Sequence, residues 1–428
     1  MTLTPCQEKA ARAFFRFLLS DEREFNISGP AGTGKTFLLQ HLVGRVIRDY
    51  EGAARLIGSE VIAYEIVLTA TTNKAAEVLA RATGMATSTI HSHLALEVRK
   101  DRRTGESRPV PTRRWKVHSR QLVFIDEASM IDARLHAHIG QGFDASCKIV
   151  YLGDHCQMAP VQEAISPIYR GASRMVTLSR PMRNAGQPAL VALCRQLRRT
   201  VETMVFRPIT PVPGVIDRLA PHEAQRFIDT TFRVEGADAR ILAYTNARVQ
   251  EYNRHIRELR GHPELFTPGE RVINNAAIGV GTRMLRVEEE FEIGHVDPAI
   301  ERVILPGAVM EAYALELVPP AGGGSCRVRV PVDPEHFKAL VRHYARIRDW
   351  STVFHLQETY PDLRPKDAAT VYKAQGATCG TVFLDLADLG RCTRTDQLAR
   401  MLYVGASRAT TRLLLFGELP ERLFVQSA

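Results

Sequence analysis

Short, continuous apolar runs alternate with helix-like patterns along the first part of the chain. Such runs are typical of strands buried on both faces of a sheet, whereas apolar residues three and four positions apart indicate a helix. Strands are predicted at 24–28, 66–70, 122–125 and 149–152, and helices at 37–43 and 73–83. This alternation predicts an α/β domain with a parallel sheet.

The same texture returns in the second part of the chain, where a β-rich stretch interrupts it. The predicted elements are a strand at 241–244, a helix at 247–259, short strands separated by Gly and Pro across 261–332, helices across 334–360, and strands at 382–385 and 412–416. Two α/β domains, each carrying an insertion, are the simplest account of this order.

The insertion in the first domain is basic. Residues 99–120 contain nine Arg and Lys residues against only Asp101 and Glu106. The dipeptide Thr104-Gly105 predicts a turn, so we expect a small projecting hairpin or loop.

Composition narrows the class of partner. The formal net charge of the 428 residues is +9, which favours a polyanionic partner, although a solvated basic surface would explain it equally well. Seven cysteines, none at C-x-x-C spacing, indicate a reducing compartment. The N-terminus has no signal pattern and no apolar run approaches membrane-spanning length, which predicts a cytoplasmic protein without membrane contact.

Residues 29–36 read Gly-Pro-Ala-Gly-Thr-Gly-Lys-Thr, which is the G-x-x-x-x-G-K-[ST] phosphate-binding loop between a predicted strand and a predicted helix. The glycines let backbone N–H groups face an anion, and the helix N-terminus favours negative charge. Lys35 is expected to reach the β- and γ-phosphates of ATP, and Thr36 to hold Mg²⁺. The nucleotide-binding residues predicted here are Gly29, Ala31, Gly32, Thr33, Gly34, Lys35 and Thr36.

Polar residues at later strand ends supply candidates for ATP hydrolysis. Asp126 is the candidate to complete the Mg²⁺ shell, and Glu127 the candidate to deprotonate the attacking water. Gln157 is placed to sense the γ-phosphate without adding charge. Arg183 and Arg408 are candidates to stabilise charge in the transition state, although a surface role is the default for any arginine in a basic protein.

The ordered series of motifs resembles the superfamily 1 helicases, in the 5′-to-3′ branch that contains the Dda-type and RecD-type enzymes. The resemblance spans residues 5–408 and lies in Pro5-Cys6-Gln7, 29–36, 69–76, 88–92, 126–129, 152–161, 178–183, 243–246, 369–376 and 402–408. The chain's length and compactness are closer to the Dda type than to the larger RecD subunits.

This resemblance implies two RecA-like domains and a role for further residues. Gln7 would read the adenine edge. Gln375 and Gly376 would lie on the DNA face of the second domain and also contact the nucleotide. The residues that it places against DNA are Thr71, Asn73, Lys74, Thr89, His91, Arg113, Trp115, Thr370, Tyr372 and Lys373.

The resemblance also sets expected domain boundaries. The first RecA-like domain would span 1–173, with a strand-separating pin at 95–120. The second would combine 174–260 with 366–428, and an SH3-like β-barrel with a helical arm would fill 261–365.

Two departures from the family pattern stand out. Tyr372 occupies the position of the usual histidine, although a tyrosine can still stack on a base. The pin has no aromatic residue at its tip, and Trp115 is either a wedge or a buried anchor of the hairpin base.

The function implied is an ATP-dependent DNA helicase, stimulated by DNA and moving 5′ to 3′, with ATP and Mg²⁺ as cofactors. Its partners would be single-stranded DNA and single-strand/duplex junctions, with the chain active as a monomer alongside single-strand-binding, replication, recombination or repair proteins. The alternatives are a translocase that displaces bound proteins, an ATP-dependent loader, and a helicase subunit of a larger recombination or nuclease complex.

Overall fold

The computed structural model describes residues 2–56, 63–101, 103–104, 107–160, 163–171, 174–180, 186–281, 283–320, 322 and 324–424. Its strands form two parallel sheets, one antiparallel sheet and two short hairpins. The two parallel sheets, each flanked by helices, are two RecA-like domains, as the sequence predicted.

The first domain is built on a six-stranded parallel sheet with the order β3-β2-β6-β7-β1-β8. Its strands are β1 (Glu24–Ser28), β2 (Glu65–Ala70), β3 (Thr87–Thr89), β6 (Gln121–Asp126), β7 (Lys148–Gly153) and β8 (Arg174–Thr177). Its helices are α1 (Pro5–Leu18), α2 (Lys35–His41), α3 (Ile47–Leu56), α4 (Asn73–Thr83), α5 (Ile90–His93) and α6 (Ala133–Gly142). The hairpin of β4 (Leu96–Lys100) and β5 (Ser107–Pro111) projects from this domain.

The boundary predicted after residue 173 does not match this sheet. The strand β8 pairs in parallel with β1, and Leu178 is buried in the first-domain core. The first domain therefore extends at least to Leu178, because the strand that the sequence assigned to the second domain completes the edge of the first sheet.

The second domain has a five-stranded parallel sheet with the order β18-β10-β19-β20-β9. Its first part contains α7 (Pro188–Thr203), β9 (Ile216–Leu219), α8 (Pro221–Phe232), β10 (Ala239–Ala243) and α9 (Asn246–Leu259). Its last part contains β18 (Ala368–Thr370), β19 (Cys379–Asp385), α12 (Leu386–Leu389), α13 (Thr395–Ala406) and β20 (Ala409–Phe416).

Between these parts lies an antiparallel sheet with the order β16-β15-β14-β11-β17. Its elements, with a small hairpin and two helices, are β11 (Arg271–Asn274), β12 (Ile278–Val280), β13 (Arg283–Leu285), β14 (Glu290–Leu305), β15 (Ala308–Val318), β16 (Cys326–Pro331), α10 (Pro334–Arg346), α11 (Trp350–Thr359) and β17 (Leu363–Pro365). The far end of the long β14–β15 hairpin packs on α10 and α11 around Tyr344, Phe354 and Leu356. We propose that this unit is the predicted SH3-like insertion with its helical arm.

The two domains share core. Cys156 and Met158, which follow β7 of the first domain, are fully buried in the second-domain cluster together with Leu193 and Tyr403. The loop after β7 of the first domain is therefore held by apolar contacts with the second. No helix among the described residues is long and apolar enough to cross a membrane.

Candidate functional site

The phosphate-binding loop joins β1 to α2, as its sequence requires. Gly32 and Gly34 adopt φ angles of 77° and 76°, a region that favours glycine. Lys35 begins α2, and its Nζ donates hydrogen bonds to the carbonyl oxygens of Gly29 (2.8 Å) and Pro30 (3.2 Å). The loop thus keeps its lysine against the backbone that would surround a phosphate.

Gln7 supports this loop directly. Its Nε2 donates to the carbonyl oxygens of Thr33 (3.2 Å) and Gly34 (3.3 Å), and its Oε1 accepts from the backbone N–H of Thr4. A Cβ at Gly34 would lie 2.7 Å from this Nε2, so a larger residue would displace the glutamine. The residue predicted to read adenine also fixes the shape of the loop, and its adenine contact stays a prediction.

Asp126 and Glu127 lie at the carboxyl end of β6, which only β7 separates from β1, the strand that leads into the phosphate-binding loop. Burial and the neighbouring Glu127 charge raise the pKa of Asp126 to about 6, although Lys35 opposes the shift. Glu127 adopts a left-handed φ of 53°, which is uncommon for a residue with a side chain. Such outliers concentrate at functional sites, and this one turns the chain sharply between the two carboxylates.

The raised pKa of Asp126 predicts a gain in stability for Asp126→Asn. Between about pH 4 and pH 6 the folded chain retains a proton that the unfolded chain has lost, so the free energy of unfolding falls as the pH rises through this window. Asparagine removes that penalty, which is about 3 kcal/mol at pH 8. Thermal unfolding should show a higher Tm for the variant at pH 8 and a smaller difference at pH 5; an equal difference at both would contradict the expectation.

Gln375 reaches from the second domain to Glu127 of the first. Its Nε2 donates to Glu127 Oε2 (3.1 Å) and to Ser129 Oγ (3.4 Å). Thr71 approaches from the other side, because its hydroxyl donates to the Glu127 carbonyl oxygen at 3.0 Å. Glu127 is therefore linked to two segments that the sequence predicted to face DNA.

The loop 154–157 of the first domain is bound to α7 and α13 of the second by hydrogen bonds. Asp154 is fully buried and accepts hydrogen bonds from Arg198 Nη1 (2.5 Å) and from the hydroxyl of Tyr403 (2.7 Å). Burial raises the pKa of Asp154, but the charges of Arg198 and Lys35 outweigh it and leave the pKa lowered. Asp154, His155 and Cys156 bring ligand-type atoms within 4.8 Å of one another, yet the arginine already neutralises the aspartate.

Gln157 is held through its backbone. Arg400 donates to the carbonyl oxygens of Gln157 (2.6 Å), His155 and Ala164 (3.0 Å). The buried Oε1 of Gln157 has no hydrogen-bond partner within the described part of the chain. The second domain thus fixes the position of Gln157, and its γ-phosphate contact, which would use the Nε2 donor, stays a prediction.

A cleft separates the phosphate-binding loop from helices α7 and α13. Pro30 and Ala31 line one wall, and Cys194, Tyr403 and Ser407 line the other. Arg408 follows directly and is buried, with hydrogen bonds to the carbonyl oxygens of Val404 (3.1 Å) and Ala377 (3.1 Å) and to Ser407 Oγ (2.8 Å). The structure places this arginine beside the cleft on the second domain. Arg183 lies outside the described residues, so its assignment stays a prediction.

The residues predicted to face DNA fall at both domains' strand ends. Lys74 is the second residue of α4, which follows the cap residue Thr72, and Thr89 caps α5 by accepting from the Ser92 N–H. In the second domain, Thr370 ends β18 and Lys373 follows it within one turn. The remaining predicted DNA contacts in these segments are Asn73 and His91. Burial lowers the pKa of His91.

Two of the predicted DNA contacts are turned into the protein. Trp115 packs against Gly142 and the edge of the His138 ring at the hairpin base, which favours the anchor role, and its contact with DNA stays a prediction. Tyr372 packs on the second-domain core, and its hydroxyl accepts a hydrogen bond from Gln397. Arg113 is exposed beside Trp115.

Sequence reasoning missed Arg198, Arg400 and Tyr403, which hold the loop after β7. A usable signal existed for two of them, since Arg400 and Tyr403 are three residues apart on a helix and so lie on one face. Arg198 carried no signal, because its partner Asp154 lies 44 residues away in another domain.

Comparisons with known proteins agree with this geometry. Residues 2–206 match an AAA domain family, and residues 367–416 match the UvrD-like helicase C-terminal domain family. The ATP-dependent DNA helicase Dda of Enterobacteria phage T4 is 27% identical over 169 residues, which are 39% of this chain and 35% of that protein. The match thus spans about a third of the length of this curated relative.

Solved helicase structures share the fold of the whole chain. A structure of two coordinating Pif1 helicases on forked double-stranded DNA aligns over 99% of this chain and 94% of that one, with a TM-score of 0.53 and 14% identity. Pif1 from Bacteroides, in complex with ADP-AlF3 and single-stranded DNA, aligns over the same shares with a TM-score of 0.52 and 14% identity. The two family matches thus lie on an AAA domain and on a UvrD-like helicase C-terminal domain, and the whole chain shares the fold of the Pif1 helicases.

Proposed function

We propose that this protein is an ATP-dependent DNA helicase that moves 5′ to 3′ on single-stranded DNA and unwinds duplex ahead of it. The observation that carries the proposal is the contact of Gln375 with Glu127. It links the proposed water-activating carboxylate of one domain to the segment of the other that follows the proposed DNA contacts Thr370 and Lys373. DNA binding and ATP hydrolysis would then be coupled through this one hydrogen bond.

ATP would lie in the cleft between the phosphate-binding loop and α13, where closure brings Arg408 toward the γ-phosphate. Mg²⁺ would be held by Thr36 and Asp126, whose hydroxyl and carboxylate oxygens are the ligand type that this ion prefers. Domain closure on ATP and opening after hydrolysis would move the two DNA-gripping faces relative to each other. Opening one base-pair step costs about 1.4 kcal/mol on average, which a single ATP can supply.

The direct test is an unwinding assay with duplexes that carry either a 5′ or a 3′ single-stranded tail. The purified chain should separate the 5′-tailed duplex only when ATP and Mg²⁺ are present. A preference for the 3′ tail would contradict the proposed direction, and ATP hydrolysis that does not respond to single-stranded DNA would favour the loader alternative.

The β4–β5 hairpin predicts a variant that separates helicase from translocase. Replacing residues 99–108 by a two-residue Asn-Gly turn would remove the tip, while the Val98–Pro109 pair and the anchor Trp115 remain. We expect DNA-stimulated ATP hydrolysis within about twofold of wild type and strand separation reduced at least about tenfold, since the hairpin is the proposed wedge. Unwinding at the wild-type rate would contradict the wedge assignment and support a motor that displaces bound proteins.

A further inference from the structure

Two glutamates of the β-barrel insertion contact lysines on the proposed DNA faces. Glu290 Oε1 lies 3.7 Å from Lys74 Nζ of the first domain, and Glu290 Oε2 lies 3.5 Å from Lys366 Nζ of the second. Glu288 Oε1 lies 3.9 Å from Lys373 Nζ. A single carboxylate therefore bridges the two domains, and its neighbour pairs with a third lysine.

The local backbone conformation sets the positions of the Glu288 and Glu290 carboxylates. The side chain of Asn274 is fully buried and donates to the carbonyl oxygens of Ala276 (2.7 Å) and Arg286 (3.0 Å), which fixes the turn before β14. At this turn Glu288 adopts a φ of 62°, a conformation that glycine would adopt at lower cost. A glutamate thus occupies a position whose backbone conformation favours glycine.

Charge and burial distinguish these two glutamates from Glu289 between them. Glu289 pairs with Arg283 at 2.8 Å inside the insertion. It takes no part in the three glutamate–lysine pairs described above. The Glu288 side chain is only 14% exposed, and its Oε2 has no hydrogen-bond partner among the described residues. Burial raises the pKa of Glu290, but Lys366 and Lys74 outweigh it, so the pKa is lowered and the carboxylate is ionised at neutral pH.

We infer that Glu288 and Glu290 occupy the place of DNA phosphates, so that single-stranded DNA must displace them to reach Lys74 and Lys373. The inference rests on the proposed function, because it takes these lysines as phosphate contacts. A carboxylate and a phosphate oxygen compete for the same ammonium group, and only one of them can be its close partner. The insertion would thereby lower affinity for weakly charged or short ligands and release the domain bridge when a strand binds.

The test compares wild type with the double variant Glu288→Gln/Glu290→Gln. Fluorescence anisotropy with an oligothymidylate of about 12 nucleotides would measure affinity at several salt concentrations. Partly exposed ion pairs of this length are weak, so we expect the double variant to bind about three- to tenfold more tightly at low salt. The difference should shrink as salt rises, because added ions screen the internal pairs as well.

Glu292→Gln is the matched control, since this residue is an exposed glutamate on the same strand. It should leave the affinity at the wild-type value. In a second measurement, Lys74→Gln should weaken binding more in the double-variant background than in wild type, because only there is Lys74 free of its carboxylate partner. Thermal unfolding would confirm that each variant is folded.

The possible outcomes separate the two claims. If wild type binds DNA but the double variant binds no more tightly than wild type, the carboxylates only hold the lysines in position and the inference is overturned. A wild-type chain that does not bind the oligonucleotide would instead overturn the proposed function. Tighter binding in both the double variant and the control would reduce the effect to net charge and also overturn the inference.

Discussion

Glu127→Gln is expected to lower kcat for ATP hydrolysis by about 10²–10⁴-fold, because an amide cannot accept the proton of the attacking water. The two side chains have nearly the same shape, and the amide oxygen of the variant can still accept the hydrogen bond from Gln375. Nucleotide affinity, DNA affinity and Tm should therefore stay near their wild-type values. Steady-state hydrolysis with saturating single-stranded DNA is the measurement.

A matching variant of Asp126 tests whether Glu127 or Asp126 is the base. If Asp126 rather than Glu127 were the base, Glu127→Gln would cost only a few-fold in kcat. Asp126→Asn would then show the larger loss in kcat at saturating Mg²⁺, with no change in the Mg²⁺ concentration that gives half the maximal rate. Under the proposed roles, Asp126→Asn should raise that Mg²⁺ concentration, because the ion loses a carboxylate ligand.

Local signals predicted the elements well, and the reason is visible in single residues. Helix α4 was predicted at 73–83 and observed at Asn73–Thr83, because Thr72 caps its first turn and Gly84 ends it with a left-handed φ of 69°. The phosphate-binding loop was equally local, since its glycines, lysine and threonine are consecutive. Such features depend on neighbours in sequence and need no knowledge of the whole fold.

Contacts between distant segments could not be predicted in this way. Strand β8 has the pattern of any short strand, and nothing in residues 174–177 says that it pairs with β1 instead of joining the following domain. Gln375 and Glu127 are 248 residues apart, so their hydrogen bond follows only from how the two domains pack. The anchor role of Trp115 was left open for the same reason, because Gly142 and His138 lie in a separate helix.

The second domain contributes its own charge to the cleft, and Arg408→Lys tests that contribution. An arginine that stabilises the transferring phosphoryl group is worth about 10³–10⁵ in kcat, and lysine keeps the charge but loses the planar fork. We expect kcat to fall at least about 10³-fold with little change in nucleotide affinity. Arg412→Lys, on the strand β20 that begins directly after Arg408 and paired with Asp217 at 2.7 Å, is the matched control and should leave kcat unchanged.

The position of Arg408 explains why its effect should depend on domain closure. Its guanidinium donates to Val404 at the end of α13, and the same helix carries Arg400 and Tyr403, which hold the loop of Gln157. Movement of α13 would therefore carry Arg408 and Gln157, the proposed γ-phosphate sensor, together. The contradicting result would be a folded Arg408→Lys variant with wild-type Tm and a kcat within about tenfold of wild type. Arg408 would then not stabilise charge on the nucleotide, and hydrolysis would not take place at the domain interface.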